Sequence, residues 1–172
     1  LINSKNILPK KLRILHITNF NERHNGRLFY NTGRRINNGF IRLGYTVQTL
    51  SDRDTISIER KITDITGSKS LNNKLIEIIG NFKPNLIVLG HADQISNETL
   101  KIIRNFYPNI KICQWFLDKM DDKKWLNNKK RFLKKINYLD ANFCTTHPSS
   151  ISSFKRINTH YIPNPVDDSF EN

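Results

Sequence analysis
Three side chains in this sequence follow directly on apolar runs and carry groups that can move or hold a proton. His91 follows "LIVLG", Asp118 follows "ICQWFL" and His147 follows "FCTT". A carboxylate partly withdrawn from water can orient a hydroxyl or accept its proton. An imidazole in the same position can hydrogen-bond a hydroxyl or a phosphate oxygen. Asn19, then Asn25, Gly26 and Arg27, come after an earlier apolar run, and Asp93 lies just past His91. In such a loop, glycine lets backbone come close to a ligand and guanidinium pairs with an anionic group. Each residue also has a purely structural alternative. Asp118 can cap a helix or pair with Lys119 or Lys123, either histidine can cap the next helix or bind backbone, and Arg27 can be an exposed loop residue.

What would place these residues together is an alternation of strands and helices. Residues 11–17, 45–50, 85–90, 110–116, 142–145 and 160–162 are short, apolar or β-branched, as strands covered on both faces are. Helices are expected over 28–43, where Phe29, Ile36, Phe40 and Leu43 recur at helical spacing before Gly44. They are also expected over 71–82, over 96–106 capped by Ser96, over 123–139, and from Ser149 or Ser150 to 157. Residues 51–70 give mixed signals and read as an irregular excursion. Alternation of this kind predicts an α/β fold with a doubly wound parallel sheet. Ligands then lie beyond the carboxyl ends of the strands, which is where the residues above fall.

Composition narrows the partners. The chain of 172 residues has 28 Lys and Arg against 15 Asp and Glu, a formal charge of +13. That excess favours an anionic partner such as nucleic acid, headgroups or a phosphorylated substrate. Lys123, Lys124, Lys129, Lys130, Arg131, Lys134 and Lys135 crowd one stretch, enough to meet an anionic membrane; the alternative is a solvated face with Trp125 and Phe132 packed inward. Neither a helix-turn-helix nor an RNP-like strand is present, which makes nucleic acid the weaker partner. No apolar run approaches the ~18 residues of a membrane span, and there is no signal-peptide pattern. The expectation is a soluble, cytoplasmic protein, at most peripheral to the membrane. Cys113 and Cys144 sit alone in strand-like runs and read as buried free thiols.

The common phosphate-binding signatures fail. Residues 18–25 contain no glycine, so the tight turn that cradles a dinucleotide pyrophosphate is missing, although Asp52 stands where a ribose-binding acid would. There is no Walker-type loop. A phospho-receiver would need acidic residues where Thr18 and His91 stand.

Three stretches together resemble a known family. The segment "NGRLFYNTGRRINNGFIRLGYTV", residues 25–47, resembles the opening segment of GT-B glycosyltransferases, with Gly44, Tyr45 and Val47 in the characteristic turn. Trp115, Phe116 and Asp118 in "QWFLD" look like the strand end of CgeB-type spore-maturation glycosyltransferases. "YLDANFCTTHPSSISSFKRINTHYIPNPVD" is similar to a later stretch of the same proteins, and its closing "IPNPVD" resembles the GT-B hinge. The resemblance implies a Rossmann-like, acceptor-side domain over residues 1–163, a hinge starting at 164–172, and a separate domain for the nucleotide-sugar donor. Position after the strands makes Asp118, His91 and His147 the catalytic candidates and Asn25, Gly26 and Arg27 substrate-binding candidates, with Asn164 of the hinge-like stretch added to the latter. The nucleotide-sugar is a co-substrate, and no cofactor or metal is expected. A chain that begins at Leu1 and stops soon after a proline-rich turn reads as an excised piece, inactive alone. The rival readings are a non-catalytic basic module for nucleic acid or another anionic partner, and a sugar-binding scaffold without chemistry.

Overall fold
The computed structural model describes residues 11–151, 154 and 157–171. Six strands form one sheet in the order β2-β1-β3-β4-β5-β6. They are β1 (Arg13–Thr18), β2 (Thr46–Ser51), β3 (Leu86–Gly90), β4 (Lys111–Phe116), β5 (Ala141–Cys144) and β6 (Thr159–Tyr161). Every pairing is parallel. The helices are α1 (Thr32–Arg42), α2 (Asp52–Ile58), α3 (Ser68–Phe82), α4 (Asn97–Phe106) and α5 (Leu126–Leu133). The domain is α/β with Rossmann-like topology.

Strand order reverses at β1, with β2 on one side and β3 to β6 on the other. Right-handed crossovers then send α1 to one face and the remaining helices to the opposite face. The period-2 alternation of each strand serves both faces. Leu15, Ile17, Ile87, Leu89 and Ile112 point into a core completed by Leu71, Leu75 and Ile79 of α3 and Leu100 and Ile103 of α4. Ile14, Val88, Cys113 and Trp115 point the other way, against Ile36 and Phe40 of α1. A third cluster, with Phe116, Phe132, Cys144, Ile151 and Phe154, fills the space under α5. Both cysteines are buried and free, as the isolated apolar settings predict. No helix among the described residues is long and apolar enough to cross a membrane.

Four expected elements differ. The helix expected from residue 28 begins at Thr32, because Asn31 caps it: its Oδ1 accepts from Arg34 N–H at 3.1 Å, leaving residues 28–31 as a turn. The supposed excursion over 51–70 contains α2, a helix too short for its periodicity to be read. The basic helix expected over 123–139 is broken into a 3-10 turn Lys123–Trp125, α5, and a second 3-10 turn Ile136–Tyr138. Its last carbonyls are taken by α4 side chains instead of by its own ladder. Asn97 donates to Lys134 O at 3.0 Å, and Arg104 donates to Tyr138 O at 2.6 and 2.8 Å. Lys135, assigned to the solvated or membrane-facing stretch, is buried at 4% exposure. Of the helix expected up to 157, the 3-10 turn Pro148–Ser150 is seen, and residues 152, 153, 155 and 156 lie outside the described ones.

Candidate functional site
The carboxyl ends of β1, β3 and β4 open into a cleft of about 460 Å³, within the usual range of small-molecule sites. Thr18 and Asn19 form its floor beside β1, and Asn31, Thr32 and Gly33 present the start of α1. Gly33 is required there: a Cβ at this position would lie 2.6 Å from the Thr18 methyl. Arg53, His91, Asp118 and Arg131 form the polar walls, with Trp115 and Leu117 between them.

Arg131 is the hub. From α5 it donates to Asp93 Oδ2 at 2.7 Å and to Asp118 Oδ2 at 3.0 Å, and its guanidinium lies 5.3 Å from the Phe116 ring centre. Hydrogen bonds and charge from Asp93, then Asp118, hold its proton more firmly than usual. Arg53 adds a second cation 3.5 Å from Asp93. Arg53, Asp93, Arg131 and Asp118 therefore alternate in sign with no net charge among them, Asp93 lying just behind the other three, which line the cleft.

His91 stands at φ 47°, a left-handed backbone that turns the chain sharply after β3. Its ring stacks on Phe116 at 4.2 Å and meets Trp115 edge-on. Leu117 N–H donates to Nε2 at 3.0 Å, which puts the ring proton on Nδ1 in the neutral form. Nδ1 faces Asp118 Oδ2 at 3.6 Å, an electrostatic contact longer than a hydrogen bond. Burial pulls the imidazole below its ordinary pKa, against the opposing pull of Asp118. The Nδ1 side of the ring thus lies between Asp118 and Arg131 Nη2, the latter at 3.5 Å.

Behind the wall is a buried ionisable group. Asp52, fully buried, accepts from Arg53 N–H at 2.8 Å through Oδ1, and its Oδ2 has no protein partner. Burial pushes its pKa up to about 6. Next to β1, Ser51 accepts from Phe20 N–H and donates to Asp54. Asp54 accepts in turn from Glu22 N–H at 2.8 Å, so the loop after β1 is tied to α2.

The structure brings Asp118 and His91 into the cleft, with Asn19 and, behind the wall, Asp93. The other candidates lie elsewhere. His147 is exposed and accepts from Ser149 N–H at 3.3 Å, capping the 3-10 turn that follows, which is its structural alternative. Asn25, Gly26 and Arg27 form an exposed turn outside the cleft lining, with Arg27 3.4 Å from the His24 ring. Asn164 is exposed on the segment after β6, which returns to α1, where Asp167 accepts from Asn38 and Arg42 at 2.8 Å each. Asp118 pairs with Arg131 and not with Lys119 or Lys123. Arg131, Arg53 and Asn31 were not singled out from the sequence for this site. The one available signal was Arg131 as the sole arginine in "KKRFLKK", since only arginine can fork across two carboxylates in this way.

Fold and site together define a Rossmann-like parallel α/β domain with a polar, charge-balanced cleft at the point where strand order reverses. No family model, curated protein or solved structure matches the chain. Among the described residues, no three His, Cys, Asp or Glu side chains gather closely enough to hold a metal ion.

Proposed function
We propose that this chain is the acceptor-side domain of a GT-B-type glycosyltransferase, with the acceptor hydroxyl in the cleft beside Asp118. One observation carries the reading: a carboxylate at the carboxyl end of β4, held through one oxygen by Arg131 beside the His91 ring, borders an open polar cleft. The charge-balanced wall suits a neutral, hydroxyl-rich ligand better than a polyphosphate. Its planar Asn, Asp and Arg groups are the kinds that pair with neighbouring hydroxyls. In this role Asp118 hydrogen-bonds the attacking hydroxyl and takes its proton as the new glycosidic bond forms and the nucleotide leaves. The resemblance supplies the donor-binding half of the reaction, in a second domain.

The test uses the natural protein that contains these residues. A panel of nucleotide-sugars is screened by thermal shift, the best binder is assayed for hydrolysis or transfer, and Asp118→Ala is run alongside. Stabilisation by one donor, with turnover reduced at least about 100-fold in the variant, supports the reading. No stabilisation by any donor sinks it, and steeply salt-dependent binding to nucleic acid would replace it with the basic-module reading.

A further inference from the structure
Chain entry into α1 builds a fixed aromatic shelf at the lip of the cleft. Asn31 Nδ2 donates to the carbonyls of Phe20, Leu28 and Phe29 at 3.2, 2.9 and 3.1 Å, closing the turn over residues 28–31. That turn presents Tyr30 at 69% exposure and Phe29 at 41%. Tyr30 stands edge-on to Phe29 at 5.4 Å and to Phe170 at 5.0 Å. Arg34 lies over Phe29 at 4.3 Å. Phe170 comes from the far end of the chain, anchored by Asp167 on α1. Isolated exposed apolar side chains are ordinary, but a contiguous group of aromatic rings in mutual contact marks a contact site.

We propose that this shelf is a saccharide subsite, where a sugar ring packs its apolar face on Tyr30 and its hydroxyls meet the surrounding polar groups. Two features select a saccharide. The cations beside the rings are already countered, Arg34 by Glu22 at 4.0 Å and Arg35 by Glu171 at 2.9 Å, so the shelf has little excess charge to draw phosphates or an anionic membrane. The shelf also runs into the cleft, because Asn31 and Thr32, which follow Tyr30 directly, line it. An oligosaccharide across the lip would keep one sugar on the shelf and its end in the cleft. Because the backbone turn that carries the rings is already tied by Asn31, little backbone ordering cost is added on contact. The choice of a saccharide rests on the transferase reading, while the shelf is tested apart from catalysis.

The 172-residue chain is titrated at millimolar concentrations with maltohexaose, cellohexaose and chitohexaose, with binding followed by saturation-transfer NMR and calorimetry. At least one probe is expected to bind. Tyr30→Ala should weaken it about tenfold, the size of one lost aromatic contact, and Tyr30→Phe should stay within about threefold of wild type. Phe106→Ala, at an exposed aromatic of α4, should bind as wild type. Thermal midpoints confirm that each variant is folded. No binding of any probe, or binding untouched by Tyr30→Ala, overturns the proposal. Binding that Tyr30→Ala removes, in a natural protein that transfers no sugar, keeps the shelf and sinks the transferase reading. Transfer with an acceptor KM unchanged in Tyr30→Ala does the reverse.

Discussion

Arg131 Nη1 lies 3.0 Å from Asp118 Oδ2, and the same guanidinium reaches Asp93. One side chain on α5 thereby ties together the ends of two strands. The pair is partly solvated, so its net value is modest. Arg131→Gln and Asp118→Asn combined in a double-mutant cycle should show a coupling of about 1 kcal/mol by urea denaturation. A coupling indistinguishable from zero would mean that the pair does not set the position of Asp118.

His16 makes the fold acid-sensitive. It is completely buried on β1, accepts from Trp115 Nε1 at 3.2 Å, and faces Asn37 Oδ1 at 3.3 Å. Burial pulls its pKa down to about 4 from 6.5. A buried neutral imidazole contributes stability that is complete above 6.5 and is lost as pH falls through about 4. The full loss is on the order of 3 kcal/mol. His16→Gln should flatten the stability profile across that window in denaturation curves taken at several pH values.

Asp52 acts in the opposite sense. Burial raises its pKa from 3.8 to about 6, so its contribution is complete below 3.8 and is lost as pH rises through about 6. Arg53 and the buried Lys135 favour the ionised form, and Asp93 opposes it. Asp52→Asn should therefore gain stability relative to wild type between about pH 4 and pH 7, by roughly 2 kcal/mol. Because His16 and Asp52 titrate over overlapping ranges with opposite signs, only the single variants compared with wild type separate them. An unchanged difference between Asp52→Asn and wild type across this range would show that Asp52 is ionised throughout.

Gly90 is set by its neighbour. A Cβ there would run into the indole of Trp115, which is buried at 5% exposure and donates to His16. Gly90→Ala must push the indole aside and break that hydrogen bond, at a cost of about 3 kcal/mol. Near-ultraviolet circular dichroism should register the displaced tryptophan, together with a lower urea midpoint. A variant as stable as wild type would show that the sheet can widen there.

The strands were legible within about two residues at each end: β1, β3 and β4, covered on both faces, are apolar almost throughout, and the edge strand β2 shows through its β-rich alternation. The cap of α4 was equally plain, with Ser96 accepting from Thr99 N–H at 3.1 Å. The long basic helix failed because a distant group competed for local structure. Arg104 and Asn97 on α4 claim carbonyls that a helix through residue 139 would have used, and no local pattern in "KKRFLKKINYL" carries that information. His147 met the same rule of position as Asp118, but the chain turns there into a 3-10 helix that it caps itself.

By itself, the sequence determined the six strands in order, helices α1, α3 and α4 between them, and the two buried thiols. All of these follow from periodicity and from short-range caps. Tertiary structure alone decided which of the eligible residues meet. Asp118 and His91 share a cleft because β3 and β4 are neighbours in register, and Arg131 joins them because α5 packs Phe132 beneath it. Phe170 reaches Tyr30 across most of the chain because Asp167 finds Arg42 on α1. Such contacts depend on which elements lie side by side, and a side chain's spacing along the chain says nothing about its partner across it.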